Sequence, residues 1–279
     1  MSNGSPTAFL SWAILSCLFL TFLFYHLWSY DRLQCLKWNS GRQPGAFRRL
    51  MTYSYLGSTP LLIIFSIGIA TLKFKEVLPK PPDLWPKHRQ HILLGLLFVF
   101  SIAWALEQPE KREWFTSWEY RLWSIGCVTA ILGMPLTTLI ARHDIRTTDA
   151  WIFLVGTLSS STTNILFIYV LVRFPFFLRH VKEEGADPDV VVRLATFYEL
   201  NIIRIVFRFA AAVPLLVLAV DGIRGRHTIN RSQFWSDFLL MISAVGQFIS
   251  SLITVMVLPP RDLIHVSTHT FHRSSFRAL

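Results

Sequence analysis

The run "YELNIIRIVFRFAAAVPLLVLAVDG", residues 198–222, is apolar enough to enter a membrane, yet it carries Asn201, Arg204 and Arg208 in its first half. A charge at the centre of a hydrocarbon layer costs about 2.5–3.5 kcal/mol even on lenient scales, so these arginines must reach a surface, face protein or bind something. With Arg193 they fall within about 80° of one another at 100° per residue, a single stripe along a helix. Guanidinium groups so placed suit two chemistries. The favoured one is snorkelling to headgroups at the inner membrane surface. In the other, Arg193, Asn201, Arg204 and Arg208 form a docking face for an anionic lipid headgroup or an acidic partner.

Two more polar sets suit a ligand inside a helical bundle. The segment "TLSSSTTN", residues 157–164, covers every face of a helix, and its Ser and Thr can bond back to their own helix carbonyls as packing glue. Asn164 has no such escape and must turn inward. Further on, Asp237, Ser243, Gln247 and Ser250 or Ser251 recur near helical spacing. Asn164, Asp237 and Gln247 are therefore expected to wall a small polar, ligand-binding cavity, the alternative being a hydrogen-bonded seam with no ligand. In the tail, His265, His269 and His272 have metal-compatible spacing, but only Asp262 stands near to complete a set, so neither a metal nor a cofactor is expected.

These residues must be positioned by membrane helices. The chain has 279 residues, is 52% hydrophobic and only 16% charged, with a mean hydropathy of +0.44, where soluble domains carry roughly 25% charge. A bilayer span needs about 17–25 mostly apolar residues. Seven candidates lie near residues 8–30, 51–72, 91–106, 120–141, 150–172, 200–220 and 235–258, followed by a basic, His-containing tail at 259–279. The predicted fold is an all-α seven-transmembrane-helix bundle. Its third span is the shortest, about 24 Å of helix against a core of about 30 Å. Asp187 and Pro188 form a good helix start and Asp221-Gly222 a good stop, which extends the sixth helix past the bilayer on one side.

Net charge is +10, but the basic residues fall between apolar runs rather than in an aromatic-interleaved patch, which argues for membrane orientation and against nucleic acid. No Lys or Arg precedes the first span and five follow it: Arg32, Lys37, Arg42, Arg48 and Arg49. The positive-inside rule then places the N-terminus outside or luminal and the tail in the cytoplasm, with seventeen basic residues inside against ten outside. The tail's cations and its Leu263, Ile264, Phe271 and Phe276 suit the inner membrane surface. The glycosylation motifs at Asn3 and Asn230 both fall outside in this topology. Cys17 and Cys127 lie in apolar runs and Cys35 in the first loop, so no external disulfide is expected.

Known seven-helix chemistries find few residues to use. No lysine follows Lys182, which excludes a retinal Schiff base in the last helix. The acidic-Arg-Tyr and Asn-Pro-x-x-Tyr signatures of rhodopsin-like receptors are missing. Every His lies at a span end or in a loop, against a ceramidase-like hydrolase, and Glu199 and Asp237 lie near span ends, against a proton-coupled transporter. The segments "WSYDRLQCLKWNSGRQPGAFRRLMTYSYL", "FSIAWALE", "YELNIIRIVFRF" and "VPLLVLAVDGIR" resemble a widespread fungal family of uncharacterised multi-span membrane proteins, over nearly the whole chain. The resemblance implies a polytopic membrane protein and brings no activity or site residue; relatives have a further stretch after "SIAWALE" that this chain lacks. The expected function is a non-enzymatic, receptor-like signalling protein of the plasma membrane or an endomembrane, with the bilayer, anionic inner-leaflet headgroups and a cytoplasmic signalling protein as partners. A lipid or small-solute transporter and a non-catalytic membrane scaffold are the alternatives.

Overall fold

The computed structural model describes residues 4–33, 46–76, 87–106, 125, 132–140, 145–224 and 228–256. Its long helices are α1 (Pro6–Asp31), α2 (Ala46–Phe74), α3 (Lys87–Leu106), α5 (Ile145–Glu183), α6 (Pro188–Ile223) and α7 (Gln233–Met256), and residues 132–140 form a short helix, α4. The protein is an all-α, polytopic membrane bundle. Among the described residues five helices, α1, α2, α5, α6 and α7, are long and apolar enough to cross a bilayer, while the apolar part of α3, Ile92–Trp104, is shorter. Most of the expected fourth span and the whole tail, with its three His, lie outside the described residues.

Helix ends follow the local sequence. Ser5 caps α1 by accepting the Ala8 amide at 3.2 Å ahead of Pro6, and Asp187 caps α6 by accepting the Asp189 amide at 3.1 Å ahead of Pro188. At the other end of α6 the Asp221 carboxylate accepts the Ile229 and Asn230 amides at 3.1 and 2.8 Å, which fixes the turn into α7. Asn230 in turn donates its Nδ2 to the Leu218 carbonyl at 3.0 Å. That nitrogen, read from the sequence as a glycan acceptor, is engaged with the bundle.

The helices close into a ring, with α1 against α2 and α7, α2 against α3, α3 against α5, α5 against α6 and α6 against α7. Their directions follow from which ends meet. Phe9 packs on Phe65 and Phe19 on Tyr55, so α1 and α2 are antiparallel. Ser5 meets Asp237 at the start of α7, while Phe19, Leu23 and Leu27 cluster with Val255 near its end, so α1 and α7 are parallel. The start of α1 and the end of α7 therefore lie at opposite ends of the bundle.

The larger of two hydrophobic cores fills the half nearer the amino terminus. Its centre is Phe100, which touches Phe65 at 4.7 Å, Phe153 at 5.5 Å and Trp12 at 6.3 Å between ring centroids. A smaller core of Phe19, Leu23, Leu27, Tyr55 and Val255 lies toward the opposite end.

Helices α6 and α7 approach closely at Gly246. A Cβ on Gly246 would lie 2.8–3.0 Å from backbone atoms of Phe207, Ala210 and Ala211, so only glycine permits this crossing. Pro214 cannot donate to the carbonyl four residues before it, and on that loosened turn Ser243 donates its hydroxyl to the Ala211 carbonyl at 2.8 Å.

The pair α5 and α6 outgrows the rest. At 1.5 Å per residue their 39 and 36 residues span about 58 and 54 Å, well beyond a hydrocarbon core of about 30 Å. The extension is at the end opposite the amino terminus, where no residue from 172 to 200 is buried. There α5 and α6 hold mainly each other, with Phe174 stacked on Tyr198 at 5.6 Å. The α5 side of this projection carries Arg173, Arg179 and Lys182, and its tip carries Glu183, Glu184, Asp187 and Asp189, all exposed.

Candidate polar cavity

The α6 arginines are not a surface stripe. Asn201 is fully buried and Arg204 only 5% exposed, Arg208 is half-buried, and Arg193 alone is exposed, on the projection. Asn201 and Arg204 therefore lie on a covered face of α6 rather than an open one. The Arg204 guanidinium sits 5.2 Å from the centroid of the Phe167 ring on α5, a cation–π contact that replaces part of the lost hydration. Asn201 donates its Nδ2 to the Phe197 carbonyl at 2.7 Å, and its Oδ1 has no hydrogen-bond partner among the described residues.

Asn164 lies fully buried on α5, facing the bundle as its chemistry requires. Its Oδ1 accepts from Arg208 Nη1 at 3.5 Å, and its Nδ2 has no partner among the described residues. The neighbouring threonines behave as helix glue. Thr157, Thr162 and Thr163 donate to the carbonyls of Phe153, Leu158 and Ser159 at 2.6, 2.9 and 3.0 Å.

Arg208 opens on its other side into a polar cavity. Tyr55 of α2, Trp104 of α3, Ser160 of α5, Arg208 and Ala211 of α6, and Gln247, Ser250 and Ser251 of α7 line it. Counted out to its open mouth the space is about 370 Å³, but its free core admits only a group of a few atoms. Tyr55 belongs to the smaller core and Trp104 to the larger one, so the cavity lies between the two. The aromatic layer around Phe100 stands between it and the amino-terminal end. Trp104 is already engaged, its indole N–H directed at the Gly156 carbonyl at 3.4 Å.

The structure thus brings Asn164 and Gln247 to one place but through Arg208, and it does not bring Asp237 there. Asp237 is ten residues before Gln247 on α7, about 15 Å away. It accepts the Ser5 amide at 2.5 Å and, with Asp149, supplies negative charge to Lys73. Lys73 donates to the Gly4 carbonyl and lies 5.1 Å over the Phe9 ring. Asp237 is consequently part of a clasp that ties the amino terminus to α2 and α7. Sequence reasoning missed Tyr55 and Trp104, for which only the phenol and indole tips inside apolar runs gave a signal.

Among the described residues no group of three or more His, Cys, Asp or Glu gathers as a metal ion would need. Comparison with protein-family models, curated proteins and solved structures gives no match.

Proposed function

We propose that this membrane protein is a receptor-like signalling protein, with its amino terminus outside and the α5–α6 projection in the cytoplasm. One observation carries the reading. The two helices that meet through Asn164 and Arg208 at the cavity are the same two that run on as the projection. A ligand that shifts α5 against α6 at Arg208 would move the projection without any separate relay. The orientation accords with the positive-inside rule, since Arg173, Arg179 and Lys182 are exposed on the projection.

The tip also revises the partner. Its Glu183, Glu184, Asp187 and Asp189 suit a cytoplasmic signalling protein with a basic face, rather than the acidic one expected from the arginine stripe. Transport of a lipid or solute would use the same cavity, and the aromatic contacts of Phe100 with Phe65 and Phe153 favour the receptor reading over it. A purely structural scaffold would leave the cavity without a use. Membership of the fungal family belongs to this proposal and adds no activity to it.

The test is co-purification from membranes solubilised in mild detergent, comparing the wild type with a variant in which Glu183, Glu184, Asp187 and Asp189 are all Lys. A cytosolic signalling subunit retained by the wild type and lost from the variant supports the reading. Equal retention by both, or no such subunit, removes it.

A further inference from the structure

We propose that the base of the α5–α6 projection is a docking surface for anionic lipid headgroups of the leaflet from which it emerges. It rests on the membrane crossing of α5 and α6 and not on the receptor reading. On α5, Leu158, Ile165, Tyr169, Val172 and Phe176 are all exposed and, at 100° per residue, fall within about 60° of one another. A stripe of large apolar side chains turned outward from a bilayer helix meets lipid chains. It ends at Phe176, which is 71% exposed, and the next residues in that direction are Arg179, His180 and Glu183. On α6 the exposed Val220, Val213, Val206 and Ile202 form a similar stripe, and the next residue in its direction is the exposed Glu199. Arg208 of α6 touches Asn164 of α5, which sets the register of the two helices. Counted from that contact, the change from apolar to charged exposure comes within about two turns of the same level on both. That level is where the hydrocarbon ends and headgroups begin.

Cations gather there. Arg173 and Arg179 flank Phe176 three residues to either side, neighbours on one helix face, and the Arg173 guanidinium lies 4.7 Å over the Tyr169 ring. Lys182 follows on α5, and Arg193 on α6 stands as far from the Asn164–Arg208 contact as Arg179 does. All four are exposed, against Glu199 as the carboxylate at this level on the two helices. His180 is engaged with Glu184 at 3.1 Å and belongs with the acidic tip. An exposed aromatic ring set between arginines suits the boundary of an anionic leaflet, the ring dipping toward the chains while the cations meet phosphates. Neutral lipid would accept the ring and leave the cations without a counter-charge. An acidic protein would pair with the cations but would have to displace the lipid on which the apolar stripe already lies.

The experiment uses the full-length chain with Cys17, Cys35 and Cys127 replaced by Ser and a nitroxide attached at Phe176→Cys. Collision of the nitroxide with a water-soluble nickel complex is measured in nanodiscs of phosphatidylcholine alone and in discs containing phosphatidylserine. Accessibility should fall by about threefold or more with phosphatidylserine and recover at high salt. Joint replacement of Arg173, Arg179, Lys182 and Arg193 by Gln should abolish the fall, while a nitroxide at Glu184→Cys on the tip stays in water in both kinds of disc. If the fourfold variant does not fold, Arg179→Gln with Lys182→Gln, both exposed on the projection, decides and should at least halve the fall. Equal accessibility at position 176 in the two kinds of disc, or a fall that survives neutralisation of the cations, overturns the surface. The discs hold no partner protein, so this result stands or falls separately from co-purification of a signalling subunit.

Discussion

Arg208 on α6 donates to Asn164 on α5 at 3.5 Å, and this contact joins a buried amide to a cation that also lines the cavity. Replacing Asn164 with Leu removes the acceptor and leaves the guanidinium less well held. Stability should fall by about 0.6–1.7 kcal/mol, the scale of interhelical polar contacts in membranes. A double-mutant cycle with Arg208→Gln, read by unfolding in mixed micelles, should give a coupling well above zero. Additive effects would place the two side chains apart in the working protein.

The Gly246 crossing predicts an asymmetry between two glycines. Gly246→Ala puts a methyl against α6 backbone that cannot move aside cheaply, so it should separate the helices, break the Ser243 bond to Ala211 and destabilise by about 1–3 kcal/mol. Gly95→Ala on α3 meets nothing within 4 Å and should be neutral or slightly stabilising through helix propensity. Equal effects at both positions in a thermal-unfolding series would contradict the close approach.

Asp237 predicts a local effect at the amino terminus. Asp237→Ala deprives the Ser5 amide of its acceptor and weakens the start of α1 by about 0.5–2 kcal/mol, whereas Asp237→Asn keeps an acceptor oxygen and should do less. The readout is protease nicking near residue 5.

Topology makes a pair of exposed positions informative. Glu184 lies at the projection tip and Arg231 at the turn between α6 and α7, at opposite ends of α6. In a chain with Cys17, Cys35 and Cys127 replaced by Ser, a membrane-impermeant thiol reagent applied to intact cells should label Arg231→Cys and spare Glu184→Cys. Labelling of both from the same side would defeat the membrane crossing of α6.

Asn230 should carry no glycan, because its side-chain nitrogen is committed to the Leu218 carbonyl. In an Asn3→Gln background, which removes the other acceptor motif, glycosidase treatment should leave the mobility unchanged, and adding Asn230→Gln should lower the thermal midpoint by a few degrees. A glycosidase-sensitive shift lost in Asn230→Gln would show that this turn is open when the modifying enzyme meets it.

Much of the fold is local and was therefore legible along the chain. Apolar runs of sufficient length become helices because no water is present to satisfy an unpaired backbone, and the starts at Ser5 and Asp187 are written in residues that cap their own helices. Asn164 was legible too, since a buried amide within a long apolar helix has to face protein. Which way a charged side chain turns is different, because periodicity places Arg204 and Arg208 on one face without saying what covers that face. Only the packing of α5 over α6 decided that Arg204 meets Phe167 rather than headgroups. Asp237 and Gln247 likewise share a helix stripe, but ten residues of rise carry one to the amino-terminal clasp and the other to the cavity. Tyr55, Trp104, Ser160 and Gln247 come from four helices. Their meeting depends on how the ring closes, and the period of a single helix holds no record of its neighbours.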